Sequence, residues 1–255
     1  MTPFLEVSGV SKRFGGVQAV SSVSFKLRRG MIKAVIGPNG AGKTTLFNMV
    51  SGFSAPDRGT ISFDGHPIHG LPPHQVARHG ISRTFQNIRL FEHLSALENV
   101  MVGRHLRGRA GFLAGMLDLG WARREAASVR GRALEVMTFL GIEALADAEA
   151  TSLAYGQQRA VELARALASD PELVLLDEPA AGLNMRETRD LAGLITRVRD
   201  RGVTVLLVEH DMSLVMEICD EVLVLSYGEK IAEADPRTVQ QDPQVVKVYL
   251  GEDEC

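Results

Sequence analysis

The chain has 255 residues, 45% of them hydrophobic and 23% charged, with a formal net charge of −3. That suits one large domain, or a core with a subdomain inserted in it, and it is enough apolar material for a sizeable interior. The slight acidity gives no global pull toward nucleic acid, and no apolar run approaches the roughly 20 residues of a membrane-crossing helix.

Residues 1–10 lack the basic region and long apolar stretch of a signal peptide. A cytoplasmic chain is therefore expected, with another polypeptide crossing the membrane if a membrane process is served. Cys219 and Cys255 have no metal-ligand spacing and are expected to be free thiols in a reducing compartment.

In chain order, the pattern predicts strands over 5–10 and 25–27. Residues 31–36 form an apolar run of strand length, followed at once by glycines, and 43–51 is helical, stopped by Gly52. A short strand over 60–63 closes in an Asp64-Gly65 turn, and 81–85 is strand-like. From about 87 to 168 the pattern is helical. A strand over 173–176 follows, then a helix with apolar Leu191, Leu194, Ile195 and Val198, capped by Gly202. Residues 203–208 are nearly all apolar, as in a strand buried within a parallel sheet. Strands over 221–225 and 230–234 and a helix over 243–249 complete the series. The order implies an α/β core from about 1–86 and 169–255, with a helical subdomain, about 87–168, inserted in it.

The strongest motif is Gly37-Pro38-Asn39-Gly40-Ala41-Gly42-Lys43-Thr44-Thr45, which matches the phosphate-loop pattern between a buried strand and a helix. Glycines let the backbone curl so that its N–H groups point at phosphate oxygens, and the helix N-terminus adds a favourable dipole. Lys43 is expected to reach the β- and γ-phosphates and Thr44 to ligate Mg²⁺. A second motif, Leu173-Val-Leu-Leu-Asp177-Glu178-Pro179, delivers two carboxylates at the C-terminal end of a strand, where open α/β sheets bind ligands. Asp177 is expected to hold Mg²⁺ through its water shell, and Glu178 to polarise the attacking water. A third, Leu153-Ala154-Tyr155-Gly156-Gln157-Gln158-Arg159, precedes a helical run over 160–168.

Phosphate loop, this third segment, then the Asp-Glu strand is the order of the ABC ATPases, and the resemblance covers essentially the whole chain. It implies a P-loop NTPase fold of ABC type: a mixed sheet core, an antiparallel β subdomain and a helical subdomain carrying the signature motif. Leu153, Ala154, Tyr155, Gly156 and Gln157 resemble that signature, which in the family caps the ATP held by a second, head-to-tail ATPase domain. Gln86 is similar to the family's glutamine that senses Mg²⁺ and faces the transmembrane subunit. His210 is similar to the switch histidine at the γ-phosphate. Phe14 sits where the family stacks an aromatic on adenine.

Two positions depart from the common pattern. Ala154 stands where the signature has Ser, and Asn184 ends a segment that usually ends in Asp; both belong to the expected dimer interface. Together with Glu209-His-Asp-Met212 and the ending Asp242-Pro-Gln-Val-Val-Lys-Val-Tyr-Leu-Gly251, they resemble the first of two non-identical ATPase subunits of branched-chain amino acid importers. Met185 is unusual for that branch, which tends to have Pro. Arg104, Arg107, Arg109, Arg123, Arg124, Arg130 and Arg132 surround an apolar run, 111–121. This stretch reads either as a surface docking a permease loop near the membrane or as a solvated helical subdomain.

The resemblance implies ATP and Mg²⁺ as cofactors and a second, non-identical ATPase subunit as partner. It further implies two transmembrane permease subunits, a periplasmic or extracellular solute-binding protein acting indirectly, no nucleic acid, and a place on the cytoplasmic face of the inner membrane. Other readings of the same chemistry are a lipopolysaccharide exporter, an importer of urea or amides, a non-transport ABC ATPase, and a regulatory module without turnover.

Overall fold

The computed structural model describes residues 4–105 and 120–250. They form two compact units: Met1–Arg83 with Glu172–Cys255, and Thr84–Pro171.

The first unit holds ten strands: β1 (Leu5–Phe14), β2 (Val17–Leu27), β3 (Ile32–Ile36), β4 (Arg58–Phe63), β5 (His66–Pro67), β6 (Ile81–Arg83), β7 (Leu173–Asp177), β8 (Thr204–Val208), β9 (Glu221–Ser226) and β10 (Glu229–Ala234). A six-stranded sheet runs β10-β9-β3-β8-β7-β6 and is parallel except at β10, which pairs antiparallel with β9. β3, β7 and β8 are buried along their whole length, which is why they read as unbroken apolar runs. The exception within β3 is Lys33, fully buried, whose ammonium is met by Glu221, Glu233 and the carbonyl of Lys26. A separate antiparallel sheet has the order β2-β1-β4-β5. Helix Lys43–Val50 contributes Leu46, Phe47, Met49 and Val50 to a core shared with Val7, Phe25, Leu27, Ile61 and Phe63 of that sheet and Val35, Leu175 and Leu206 of the parallel one. Burial of each large side chain there stabilises by roughly 1.5–3 kcal/mol.

β1 and β2 extend well beyond the expected 5–10 and 25–27. The sequence hides them because their alternation is broken. The pairing slips between Val10↔Val23 and Lys12↔Val20, and Ser22 takes φ 49° there. Such a bulge shifts which residues face the core and erases the period-2 signal. β6 stops at Arg83 rather than continuing to residue 85.

Among its described residues the second unit contains helices Ala96–Val102, Gly120–Leu140 and Tyr155–Leu167, the last two joined through 3₁₀ turns at Glu143–Leu145 and Ala150–Ser152. Ser95 and Glu98 form a reciprocal cap at the start of the first. Fully buried Asn99 bonds the carbonyls of Phe91, Leu94 and Ser95 and accepts from the Phe91 N–H, so one amide saturates the loop ahead of its own helix. The last helix begins at Tyr155, earlier than the run over 160–168 suggests, because Gly156 and the polar Gln157 and Gln158 occupy its first turn.

Candidate nucleotide-binding and hydrolysis site

Three loops leave the C-terminal ends of adjacent parallel strands β3, β8 and β7 in the first unit. The first is the phosphate loop. Gly37 and Gly42 take φ 146° and 96°, and a Cβ on either would lie 2.1 Å from the Leu225 carbonyl oxygen or 2.4 Å from that of Ala19. Only glycine fits both the backbone angle and the space. Gly40 also has positive φ, and Asn39 and Gly40 are exposed at the loop tip. The loop is braced by Ala41 N–H to Pro38 O and by Gly228 N–H to Ala41 O. Helix Lys43–Val50 then begins with no side-chain cap, leaving its first-turn N–H groups oriented for an anion. The buried Lys43 ammonium donates to the carbonyls of Gly37 (2.6 Å) and Pro38 (2.9 Å), drawing the loop around itself. Thr44 is exposed and Thr45 half-buried on the first turn.

β7 ends in Asp177. Its side chain is 7% exposed and pairs with Arg83 Nη2 at 2.7 Å, itself 8% exposed. Nη1 of the same guanidinium donates to Asn48 Oδ1 and Ser51 Oγ, both 2.7 Å away, on the helix that follows the phosphate loop. The rings of Phe47 and Phe53 lie 5.9 and 5.4 Å from it. Arg83 thus ties the end of β7 to the phosphate-loop helix. The next residue, Glu178, adopts φ 46°, a left-handed conformation uncommon for any residue but glycine, asparagine or aspartate. Its N–H is held by the Val208 carbonyl at 2.9 Å, so neighbouring β8 imposes the unusual turn. Nδ1 of exposed His210 lies 3.9 Å from Glu178 Oε2, near but beyond hydrogen-bond distance. Phe14 is exposed at the end of β1, with the Lys12 ammonium 5.6 Å from its ring centre.

Gln86 and residues 153–157 belong to the second unit. Exposed Gln86 has its carbonyl held by Arg159 Nη2 at 2.7 Å, and the carbonyl of Phe85 accepts from Nη1 at 3.2 Å. Arg159, buried on the helix that begins at Tyr155, also meets the Tyr155 hydroxyl and Glu162 Oε2 at 3.2 Å each. Glu162 Oε1 accepts from the Phe85 N–H. Burial pushes the Glu162 carboxyl above its usual range, although Arg159, the Phe85 N–H and Arg165 pull the other way. In the 153–157 segment, Leu153 is buried while Ala154 and Tyr155 are exposed. The Gln157 side chain accepts from the Ala154 N–H at 3.0 Å, but a methyl group at 154 has no oxygen to return the bond, so the helix carries half of a reciprocal cap. Asn184 does complete one: it accepts from Arg186 and Glu187 N–H groups, and Glu187 accepts from Asn184 N–H.

Three functional-looking groups escaped the sequence reading. Arg83 could have been noticed as a cation interrupting a strand, and Glu209 as a carboxylate closing the apolar run 203–208. The Arg159–Glu162 pair sits at helical i,i+3 spacing, but nothing local marks it as buried. Of the basic stretch, Arg104 and Arg132 converge on Asp170, whose carboxyl burial would raise but whose two guanidinium partners hold low. Arg123, Arg124 and Arg130 are exposed. Arg107, Arg109 and most of the apolar run lie outside the described residues, as does Cys255. Cys219 is a free, half-buried thiol pushed up to about 12 by burial and the neighbouring carboxylates of Asp220 and Glu209.

A glycine-curled loop before an uncapped helix, with an Asp-Glu pair at the end of a neighbouring buried strand, defines a P-loop nucleotide-binding protein. The ABC transporter family model matches residues 20–181, and a model of branched-chain amino acid ATP-binding cassette transporters matches 229–255. The chain is 46% identical to the high-affinity branched-chain amino acid transport ATP-binding protein BraF of Pseudomonas aeruginosa, and 43% identical to LivG of Escherichia coli, each across 98% of both chains. It is 38% identical, over the same shares, to the lipopolysaccharide export system ATP-binding protein LptB of Escherichia coli. The ADP conformation of an ATP-binding cassette of an ABC transporter superposes with a TM-score of 0.87 at 31% identity, covering 98% of this chain and all of that one. A dimeric post-hydrolysis cassette bound to ADP and phosphate matches with a TM-score of 0.76 at 26% identity, over 91% and 99%. The chain belongs to the ABC transporter family and is one of its ATP-binding cassettes. Among its described residues no helix is long and apolar enough to cross a membrane.

Proposed function

We propose that this chain binds and hydrolyses ATP to power an importer of branched-chain amino acids. The observation that carries the chemistry is Glu178, held in a left-handed turn beside His210 in the sheet whose strand β3 leads into the phosphate loop. The solute class rests on full-length similarity to BraF and LivG and on the match at 229–255.

The loop N–H groups and Lys43 bind the β- and γ-phosphates, and Phe14 stacks on the adenine. Among the described residues no group of three or more His, Cys, Asp or Glu side chains could cage a metal. The sparse oxygen set of Thr44 and Asp177 fits Mg²⁺, which takes most of its ligands from phosphates and water. Thr44 and Asp177 would hold Mg²⁺, which would supply charge neutralisation at the phosphate oxygens. Glu178 orients and polarises the attacking water, and Lys43 with His210 stabilises charge on the transferred phosphoryl group. Leu153, Ala154, Tyr155, Gly156 and Gln157 cap the nucleotide of a second, non-identical ATPase subunit. Closure of that pair drives two permease subunits from the cytoplasmic face of the membrane, with a solute-binding protein delivering the cargo.

Two measurements test this. Glu178→Gln should keep ATP binding and lose turnover by at least about a hundredfold; wild-type turnover would remove Glu178 from its role. Deleting the gene should abolish high-affinity uptake of leucine, isoleucine and valine, and uptake unchanged by deletion overturns the solute class. The similarity to LptB supports lipopolysaccharide export as the second reading, which an outer-membrane defect with intact leucine uptake would favour.

A further inference from the structure

The carboxylate of Glu209 is fully buried; three backbone N–H groups donate to it, and the His210 Nδ1 lies 3.9 Å from its Oε2. Oε1 accepts from Ala180 at 2.8 Å. Oε2 accepts from His210 at 2.9 Å and Asp211 at 3.1 Å. Its own N–H reaches the Val35 carbonyl of β3, the strand that leads into the phosphate loop. Ala180 lies two residues beyond Glu178, and His210 directly follows Glu209. One side chain therefore bridges the loop that carries the general-base candidate and the loop that carries the switch-histidine candidate. Burial of an anion is costly, so a buried carboxylate remains only where donors are aimed at it. Here the donors are main-chain groups of two loops, and the charge serves as the splint between them.

We infer that Glu209 is a positioning residue that couples the 178–184 loop to the His210 loop, fixing the spacing between Glu178 and His210; this rests on the hydrolytic reading of the site. Through the same bond, displacement of the 180–184 segment, which runs to the cap at Asn184, is transmitted to His210.

Two substitutions break one arm by different means. In Glu209→Gln the side chain has one acceptor oxygen. It keeps the arm with two N–H groups and turns its NH₂ toward Ala180, donor against donor. In Glu209→Asp the shorter chain can still accept from its near neighbours but falls short of Ala180. Both should lower kcat by roughly ten- to a hundredfold, as expected for sub-ångström misplacement of reacting groups, while KM for ATP stays within about twofold. Amide exchange at Ala180 should accelerate in both, with exchange at Leu214 unchanged. Coupling is overturned if kcat stays at wild-type level in both variants, or if KM rises in step with the loss of kcat. It is equally overturned if Ala180 exchange is unchanged in both. Wild type and Glu178→Gln run alongside, all variants assembled with the partner ATPase subunit: absence of ATP turnover in the wild-type assembly would defeat the hydrolytic reading itself, whereas normal turnover with unaffected Glu209 variants defeats only the coupling.

Discussion

Each unit of the molecule buries one arginine against a carboxylate, and the two pairs are built for different tasks. In the first unit Arg83 meets Asp177 across 94 residues of sequence and adds Asn48 and Ser51, so that three segments are joined by one planar fork. In the second, Arg159 and Glu162 are neighbours on a single helix, and their reach is backward to the main chain at Phe85 and Gln86. The first pair fixes the end of β7 against the segment that follows the phosphate loop. The second leaves the Gln86 side chain exposed while its backbone is clamped. A long-range pair can join distant segments; a local pair with long-range backbone bonds ties an exposed residue to a helix.

Substituting Arg83 should have the largest effect. Arg83→Leu takes the guanidinium from a buried carboxylate, and stability measured by urea unfolding should fall by about 3–5 kcal/mol. Arg83→Lys retains charge but not the fork, and should lose part of the stability and weaken Mn²⁺-nucleotide binding, a readout for Asp177 orientation. If the lysine variant matches wild type in both, the alignment role is wrong.

Arg159→Leu comes next, at about 2–4 kcal/mol in the same unfolding measurement. The sharper test is the double variant Arg159→Leu with Glu162→Leu. With no buried charge left behind, it should be more stable than the single variant. It should still transport fewer solute molecules per ATP, because the bonds to the Gln86 and Phe85 carbonyls are gone. Unaltered coupling of transport to hydrolysis in the double variant would reduce the second pair to packing.

A smaller effect separates two carboxylates of the second unit by pH. The raised Glu162 carboxyl binds its proton more tightly in the folded than in the unfolded chain. Stability from this group is therefore present below the ordinary carboxylate range and is lost as pH rises through its elevated value. Asp170, held low, has the opposite sign: its contribution is present above the unfolded value and lost as pH falls. Glu162→Gln should flatten the first slope and leave the second, in urea midpoints recorded across mildly acidic pH.

The smallest change is Ala154→Ser. A hydroxyl there would complete the cap begun by Gln157 and raise stability by about 1 kcal/mol. If the signature caps a partner's nucleotide, it should also tighten ATP in the partner's site; equal behaviour of the two sites before and after removes the idea that they are unequal.

Much of this architecture was legible because it is local. The phosphate loop needs glycines at 37, 40 and 42, with lysine at 43, whatever the rest of the chain does. Buried β3, β7 and β8 advertise themselves as apolar runs. β2 was largely missed because a bulge at Ser22 broke its alternation, and the helix at Tyr155 because its first turn is polar. Asn184 illustrates the reverse: read as a departure at an interface, it is also a complete helix cap, a role that Asp fills equally well.

The sequence by itself determined the motifs, their order and hence the family, since each rests on residues a few positions apart whose spacing is set by strand and helix geometry. Only the tertiary structure decided which buried charges face each other. Arg83 reaches Asp177, Arg159 reaches the Gln86 carbonyl, and Glu209 receives the N–H of Ala180, 29 residues away. Such contacts depend on how strands order themselves in a sheet and how loops are laid side by side at its edge. No local pattern encodes that order, because the free energy that selects it is gained only when the whole core is assembled.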